Sequence, residues 1–415
     1  MFSIFDEDKQ KWPIKIWLND ESSLEPECLK QAMNLANLSF IHKWVALMPD
    51  THPGFGMPIG GVIATENVII PNAVGVDIGC GMQFVMTNIP VAELTSTDTA
   101  EGKLTDLIVS EILRAIPTGF SHHKYKQQCE AVDQFRVQLV DEPSRQTPKA
   151  LLKELDSALM QVGTLGGGNH FIELQVDDEG YLGIMVHSGS RNLGLKICNT
   201  FNALAKETND KEFLSVPKAW NLACLDANSE LGMEYIRWMN FAMEFAKENR
   251  TKMMNVVIQT IRNLIKQYVD FSDIQMSEVL DCHHNYASFE QHYDKMVWVH
   301  RKGAIQAPKG KEGIIPGAMG SYSYIVRGKG NPVSFESCSH GAGRLMSRKE
   351  AKEKFSMVST VADLKTRGVT IGKVKKVDIG EESRLAYKDI DHVIDNERDL
   401  IETVKRLKTV AVVKG

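Results

Sequence analysis

Gly75-Val76-Asp77-Ile78-Gly79-Cys80-Gly81, approached by the apolar run Val68-Ile69-Ile70-Pro71, sets a carboxylate and a thiol three residues apart among three glycines. A β-branched run entering a glycine-rich turn reads as a strand that ends by presenting side chains to a site. Asp77 and Cys80 at this spacing reach one cation, or each reaches one of two. The competing reading is a tight turn around a buried thiol, because free Cys is among the most buried residue types and a D-x-x-C pair is a short pattern. The surrounding chain decides between them.

Upstream, Lys43-Trp44-Val45-Ala46-Leu47-Met48 has the character of a buried strand delivering Pro49-Asp50-Thr51-His52-Pro53 at its C-terminal edge. Asp50 and His52 either close an Asx-type turn or support a nearby site. Residues 60–64 and 67–71 are expected to pair as a hairpin. Downstream, residues 104–115, 127–140 and 148–162 carry helical periodicity. The loop between the first two, with Gly119, Ser121, His122, His123 and Lys124, is either a phosphate contact or plain surface.

Gly163-Thr164-Leu165-Gly166-Gly167-Gly168-Asn169-His170-Phe171-Ile172-Glu173 is the second dense stretch. Consecutive glycines let backbone N–H groups approach an anionic or metal-bound ligand closely. They precede a strand instead of opening a helix, which separates them from dinucleotide and P-loop fingerprints. On an ideal strand His170 and Glu173 face opposite sides, so a shared site requires the pleat to break near the glycines. His187 ends a short strand, and Ser188 or Ser190 is expected to cap a helix running to about Lys206. Residues 233–269 read as a long amphipathic helix (Tyr235, Met239, Met243, Ala246) serving as core scaffold. In Asp281-Cys282-His283-His284-Asn285, adjacent strand histidines point to opposite faces, so at most one binds a given metal.

Asp77, Cys80, His170, His187 and one of His283/His284 all lie at expected strand ends beside Gly, Ser or Asn. That recurrence favours a metal site, with room for two divalent ions bridged by Cys80 or Asp77; ligand softness alone suggests zinc. In Ser339-His340-Gly341-Ala342-Gly343-Arg344, small residues leave space for a phosphate to reach the His340 ring. A neutral imidazole attacks phosphorus to form a phosphoramidate; the alternative is a turn histidine held by a backbone hydrogen bond.

Composition bounds these readings. The 415 residues are 43% hydrophobic and 24% charged, enough apolar material for a large soluble core. The first residues show no basic stretch followed by an apolar one, and no apolar run is long enough to span a membrane, so a soluble protein is expected. Seven irregularly spaced cysteines argue for reduced thiols in the cytoplasm. Residues 301–354 carry a local charge of +7, leaving −12 for the rest, so this segment is a candidate phosphate-docking face or simply a solvated one. With no repeat or linker, a single domain over 1–415 is expected.

Seven ordered blocks (48–52, 75–82, 163–173, 186–191, 282–285, 316–323 and 339–344) resemble the RtcB family of RNA-splicing ligases, from about Ile41 to Gly415. The resemblance implies an α/β fold whose central β-sheets line a metal- and nucleotide-binding cleft flanked by helices. It implies an RNA ligase of tRNA splicing or RNA repair, joining 2′,3′-cyclic phosphate or 3′-phosphate ends to 5′-hydroxyl ends with GTP and two Mn2+ ions. Asp77, Cys80, His170, His187 and His284 would bind the ions, Cys80 bridging them; manganese then replaces the zinc suggested by softness. His284 is indicated over His283 because it directly precedes Asn285. His340 would be the nucleophile that carries guanylate. The nucleotide would contact Asn169, His170, Phe171, Ile172, Glu173, His284, Asn285, Pro316, Gly317, Ala318, Met319, Ser323, His340, Gly341, Ala342, Gly343 and Lys414. Implied partners are RNA ends, GTP and, as a candidate, an activator protein. Ala318 departs from the small polar residue common at its position, and residues 306–312 form a short version of a variable loop. A two-metal phosphoesterase and a non-catalytic RNA-end binder are the rival readings; GTP-dependent covalent labelling separates the ligase from both.

Overall fold

Two sheets carry the chain in the computed structural model, which describes residues 1–100, 102–209, 216–271, 273–372 and 376–415. One has the strand order Phe2–Ile4, Ile14–Ile16, Ile41–His52, Ile59–Thr65, Lys295–Lys302, Asn285–His292. The other runs Leu280–His283, Gly81–Pro90, Tyr181–Ser188, Phe171–Val176, Ile401–Lys414, Tyr322–Gly328, Glu312–Ile315, with Thr370–Gly372 beside Ile401–Lys414, and it curls nearly into a barrel. Met48, Val62, Val297 and Val299 of the first sheet share a core with Met82, Phe171, Met185 and Ile325 of the second. Each such side chain contributes about 1.5–3 kcal/mol on burial, so apolar packing holds the sheets together.

The helix Glu230–Tyr268 starts where Ser229 Oγ accepts the Gly232 N–H at 3.0 Å, a cap that satisfies one free donor of its first turn. Its C-terminal half lays Met253, Met254, Val257 and Ile261 on Val85, Ile172, Ile184 and Val186 of the barrel-like sheet. Its N-terminal half packs Trp238, Phe241 and Phe245 against the helices Glu130–Asp141, Lys149–Gln161 and Arg191–Asn209. No described helix is long and apolar enough to cross a membrane.

The helices expected at 104–115, 127–140 and 148–162 form as Leu104–Ala115, Glu130–Asp141 and Lys149–Gln161. Three local expectations are corrected. The hairpin of 60–64 with 67–71 does not form: Ile59–Thr65 is held between Ile41–His52 and Lys295–Lys302, while Val68–Ile69 pairs with Leu225–Asp226. Ile70 and Pro71 then open the single helical turn Pro71–Val74, where proline's fixed φ suits the first helical position. Asp77 and Cys80 therefore sit on a loop entering the strand Gly81–Pro90, not on one leaving a strand. Neither serine caps the helix Arg191–Asn209: Ser188 Oγ donates to the Leu165 carbonyl and Ser190 Oγ to that of Ile78.

Candidate active site

Four chain segments converge on Cys80. Its Sγ lies 3.4 Å from His170 Nε2 and 3.3 Å from His187 Nε2, and His170 Nε2 is 3.0 Å from Asp77 Oδ2. Cys80, His170 and His187 bring one donor atom each within 4.8 Å of the others, close enough for one cation. His284 stands beyond His187, with ring centroids 5.1 Å apart, and 4.7 Å from the ring of His340. Across the site the order is Asp77, His170, Cys80, His187, His284, His340. Cys80 and the first three histidines are buried, whereas the Asp77 side chain is 31% exposed.

His170 lies before the strand Phe171–Val176, so the pleat that would separate it from Glu173 has not begun. Its Nδ1 meets the Leu165 carbonyl at 3.0 Å, which leaves Nε2, facing Cys80 and Asp77, as the atom that could ligate. Side chains would collide at two glycines here: a Cβ on Gly189 would strike the Asp77 carboxylate, and one on Gly166, at φ +88°, would strike the His170 ring.

Burial holds the His187 and His284 rings well below the usual histidine range, hence neutral. Burial pushes the Cys80 thiol well up, and the Asp77 charge adds to it. Burial would also raise Asp77, but the hydrogen bond and charge of His170 hold it below the ordinary carboxyl value. Neutral imidazoles are ready ligands, and a bound cation is what ionises a thiol. The Nδ1 atoms of His187 and His284 are buried without a hydrogen-bond partner, a costly state for a ring nitrogen that coordination would relieve. The donor set fits divalent metal.

Two consecutive residues of the helix Glu230–Tyr268 tie the ligand-bearing segments together. Asn249 and Arg250 are fully buried. Arg250 Nε and Nη2 donate to both Asp281 carboxylate oxygens at 2.9 and 3.0 Å, and Nη1 donates to the carbonyls of Gly79 (2.9 Å) and Ser188 (3.1 Å). Asn249 Oδ1 accepts from the N–H groups of Gly163 (2.7 Å) and Thr164 (3.0 Å), while Nδ2 donates to Gly189 O at 3.0 Å. His283 turns away from the ligand cluster, its Nδ1 3.1 Å from the Gly79 carbonyl.

A cavity of about 540 Å³ opens beside His187 and His340. Of the residues expected at a nucleotide, its wall holds Asn169, Phe171, Glu173, Pro316, Gly317, Ala318, Met319, His340, Gly341, Ala342, Gly343 and Lys414. His170 and His284 stand in the ligand row behind it. Ile172 alternates away from Phe171 and Glu173 into the core under the long helix. Ser323 Oγ is covered by Gln175 Nε2 at 3.0 Å and Gly317 N at 3.3 Å. Asn285 bridges the Asp77 carbonyl (3.1 Å) and the Gly303 N–H (2.9 Å).

The wall also holds Glu382 and Tyr387, which the sequence reading missed. Glu382, 3% exposed, pairs through Oε2 with Lys414 Nζ at 3.1 Å and accepts from the Tyr387 hydroxyl at 2.7 Å. Arg344 Nη1 donates to that hydroxyl at 2.9 Å. Burial would raise Glu382, but the Lys414 and Arg348 charges hold it below the usual carboxyl range. Glu173 accepts from Gln175 Nε2 (2.8 Å) and Thr409 Oγ1 (3.2 Å), and burial pushes it up to about 7.

His340 is fixed from behind. Its Nδ1 lies 2.6 Å from Oδ2 of the fully buried Asp50, which also accepts the His340 backbone N–H at 3.2 Å. A ring that donates through Nδ1 presents the lone pair of Nε2. Of the two readings of Asp50, the structure supports that of a group serving a neighbouring site. Glu397, also buried, accepts the Ser339 N–H at 2.8 Å and its hydroxyl. Burial, with the charges of Asp50 and Asp399, pushes its carboxyl up to about 8. The folded chain thus keeps this proton to about pH 8, whereas the unfolded chain releases it near 4.5. The group's stabilising contribution is full below pH 4.5 and is lost as pH rises to 8. The melting temperature of Glu397→Gln, relative to the parent, is expected to rise by several degrees between pH 5 and pH 8.5. A difference independent of pH would mean that Glu397 is ionised in the folded chain.

A family model described as tRNA-splicing ligase RtcB matches residues 31–415. The chain belongs to the RtcB family. It is 37% identical to the RNA-splicing ligase RtcB of Escherichia coli (strain K12) over 417 residues, covering 97% of both chains. It is 31% identical to the tRNA-splicing ligase RtcB of Archaeoglobus fulgidus, covering 94% of this chain and 92% of that one, and 30% identical to that of Thermococcus kodakarensis, covering 98% and 95%. The match begins ten residues before the motif resemblance. In this RtcB-family chain the basic excess at 301–354 is partly internal. Arg301 is fully buried against Glu290, Lys302 Nζ donates to the carbonyls of Phe55 and Asn72, and Arg327 pairs with Glu312 and Glu402. The local +7 therefore overstates the charge this segment offers to phosphates.

Proposed function

We propose that this chain is an RNA ligase that joins RNA 2′,3′-cyclic phosphate or 3′-phosphate ends to 5′-hydroxyl ends through a GTP-derived guanylate carried on His340. The observation that carries this reading is the setting of His340: a ring locked by Asp50, at the junction of a metal-ligand row and a nucleotide-sized cavity. Membership of the RtcB family supports RNA ligation in tRNA splicing or repair. A phosphoesterase would use the Cys80 cluster but needs no locked histidine beside a cavity, and an RNA-binding module needs neither.

Asp77, Cys80 and His170 would hold one divalent ion, and Cys80, His187 and His284 a second, manganese by family resemblance. Bound there, the ions would neutralise phosphate charge and polarise the phosphorus under attack. Asp50 orients the His340 ring and stabilises the positive charge that it gains as Nε2 bonds the α-phosphorus and pyrophosphate departs. Glu173 and Lys414 line the cavity where a guanine base can meet a carboxylate and an ammonium. A 2′,3′-cyclic end is first opened by water to a 3′-phosphate; guanylate then passes from His340 to an oxygen of that phosphate, freeing the ring. The 5′-hydroxyl oxygen then bonds that phosphorus as guanylate leaves. We place the whole chain, acting as one unit, in the cytoplasm, where its seven free, buried thiols remain reduced; RNA, GTP and an activator protein are its proposed partners.

Incubating the protein with α-labelled GTP and manganese, without RNA, should leave a covalent guanylate label. A chain that binds manganese and remains unlabelled would leave the phosphoesterase as the better reading. Removing Lys414 and Gly415 is expected to weaken labelling at least tenfold at limiting GTP, because Lys414 is the cation beside Glu382 in the cavity wall. Metal content should be unchanged, since neither residue is in the ligand row; unaltered GTP dependence would remove Lys414 from the nucleotide site.

A further inference from the structure

The loop between the helices Leu104–Ala115 and Glu130–Asp141 has no part in the mechanism above, yet it is built against the metal-ligand segments. The Gly119 N–H donates to the Gly166 carbonyl at 2.8 Å, and the Leu165 N–H donates to the Pro117 carbonyl at 3.0 Å. Arg191 Nη2 donates to the Gly119 carbonyl at 2.8 Å. Gly119 takes φ +63°, a left-handed turn that glycine adopts freely, and the next side chain is thrown outward. That side chain, Phe120, is fully exposed, and Tyr125 is 79% exposed. His122 and Lys124 are exposed between them. An anchored backbone thus presents aromatic rings to solvent, interleaved with basic groups, beside Gly166 and His170.

The order of the site says which strand would meet them. The nucleotide cavity lies at the His340 end of the row. The opposite end opens to solvent at Asp77, 31% exposed, and Val76, 46% exposed. In-line displacement puts the attacking and leaving oxygens on opposite sides of the phosphorus. With guanylate leaving toward the cavity, the 5′-hydroxyl approaches from the Asp77 end, where Arg191, whose charge acts on Asp77, donates to the Gly119 carbonyl of this loop. We infer that Phe120 is a stacking platform for a base of the 5′-hydroxyl RNA strand, with His122 and Lys124 facing its phosphates. The inference rests on the ligase reading. Stacking on an aromatic face is tolerant of sequence because every base has a π-face, which suits an enzyme that joins ends.

The test compares the parent, Phe120→Ala and Phe120→Trp, in the presence of manganese, for affinity toward two single-stranded RNA oligonucleotides. One has a free 5′-hydroxyl and a blocked 3′ end; the other has a 3′-phosphate and a blocked 5′ end. Because the side chain is fully exposed, its removal leaves the core untouched. Phe120→Ala should bind the 5′-hydroxyl oligonucleotide about tenfold more weakly, and Phe120→Trp should bind it as the parent does. Both variants should hold the 3′-phosphate oligonucleotide as the parent does. Abasic sites in the first nucleotides should weaken the parent but not Phe120→Ala, the signature of a stacked base. Equal affinity of parent and Phe120→Ala for the 5′-hydroxyl oligonucleotide overturns the inference, and so does an equal loss on both oligonucleotides. Labelling by GTP reports separately on the ligase reading: no label in the parent removes that reading, whereas a normal label in Phe120→Ala with unchanged RNA affinity removes only the stacking role.

Discussion

Replacing His340 with alanine is expected to abolish the guanylate label that GTP and manganese leave on the chain in the absence of RNA. His340 borders the cavity with its Nδ1 on the Asp50 carboxylate, whereas His187 and His284 sit in the row of candidate ligands and His52, which also lines the cavity, has its Nδ1 on the Asp50 backbone carbonyl. The parent's label should disappear in mild acid and survive base, as a phosphorus–nitrogen bond does and an acyl phosphate does not. Asp50→Asn should retain the ring's position but lose the charge that steadies the imidazolium, lowering the labelling rate by a factor on the order of 10² to 10⁴. His340→Ala should still join an RNA whose 3′-phosphate already carries guanylate, since that step needs no imidazole nucleophile. A label on His340→Ala as strong as the parent's would assign the nucleophile to another residue, and the mechanism with it.

The second large effect is expected at Arg250, far from any reacting atom. Arg250→Met leaves Asp281 with a side chain only 15% exposed and no cation, and removes the donor from the Gly79 and Ser188 carbonyls. Breaking a buried pair from one side costs about 3–5 kcal/mol. Replacing both members, as Arg250→Met with Asp281→Leu, should recover most of that stability, because two charges no longer need compensation. In the double variant the Ser188 carbonyl remains unanchored and that of Gly79 keeps only His283 Nδ1, so the Cys80 and His187 segments are free to shift. Cobalt titration, read by thiolate-to-cobalt absorption, should then show metal affinity lowered about 10- to 100-fold, the usual range for groups that orient ligands. A double variant that is folded and takes up cobalt as the parent does would reduce the long helix to scaffold.

The convergence of the Cys80 cluster could be read because each member pairs a rare chemistry with a distinctive context: a thiol, carboxylate or imidazole beside Gly, Ser or Asn near the end of a strand. Asn249 and Arg250 could not. In Glu248-Asn249-Arg250-Thr251-Lys252 they look like a solvated helix face, and their burial depends on loops distant in sequence that descend on that face. Glu382 is hidden for the same reason, since an acidic pair in a polar stretch resembles surface until Lys414 and Tyr387 arrive. The false hairpin at 60–71 arose because pairing is decided by competition. Ile59–Thr65 found partners starting at residues 41 and 295 that no local pattern reveals. The basic run misled because a charge count does not distinguish Arg301, sealed against Glu290, from a guanidinium in water.

The position of Ile401–Lys414, between Phe171–Val176 and Tyr322–Gly328, bears on how the protein folds. Its register with Phe171–Val176 joins residues such as Phe171 and Lys414, roughly 240 positions apart, and contacts of such long sequence separation form slowly. Until that strand docks, its two neighbours expose unpaired backbone edges, which template association with other chains. Lys414 is then absent from Glu382, and the wall that includes Glu173 is open. Nucleotide binding is thereby deferred to one of the latest events of folding. Partly folded molecules are expected to aggregate rather than to accumulate as inactive monomers, and GTP, by capturing the docked strand, should raise the yield of refolding.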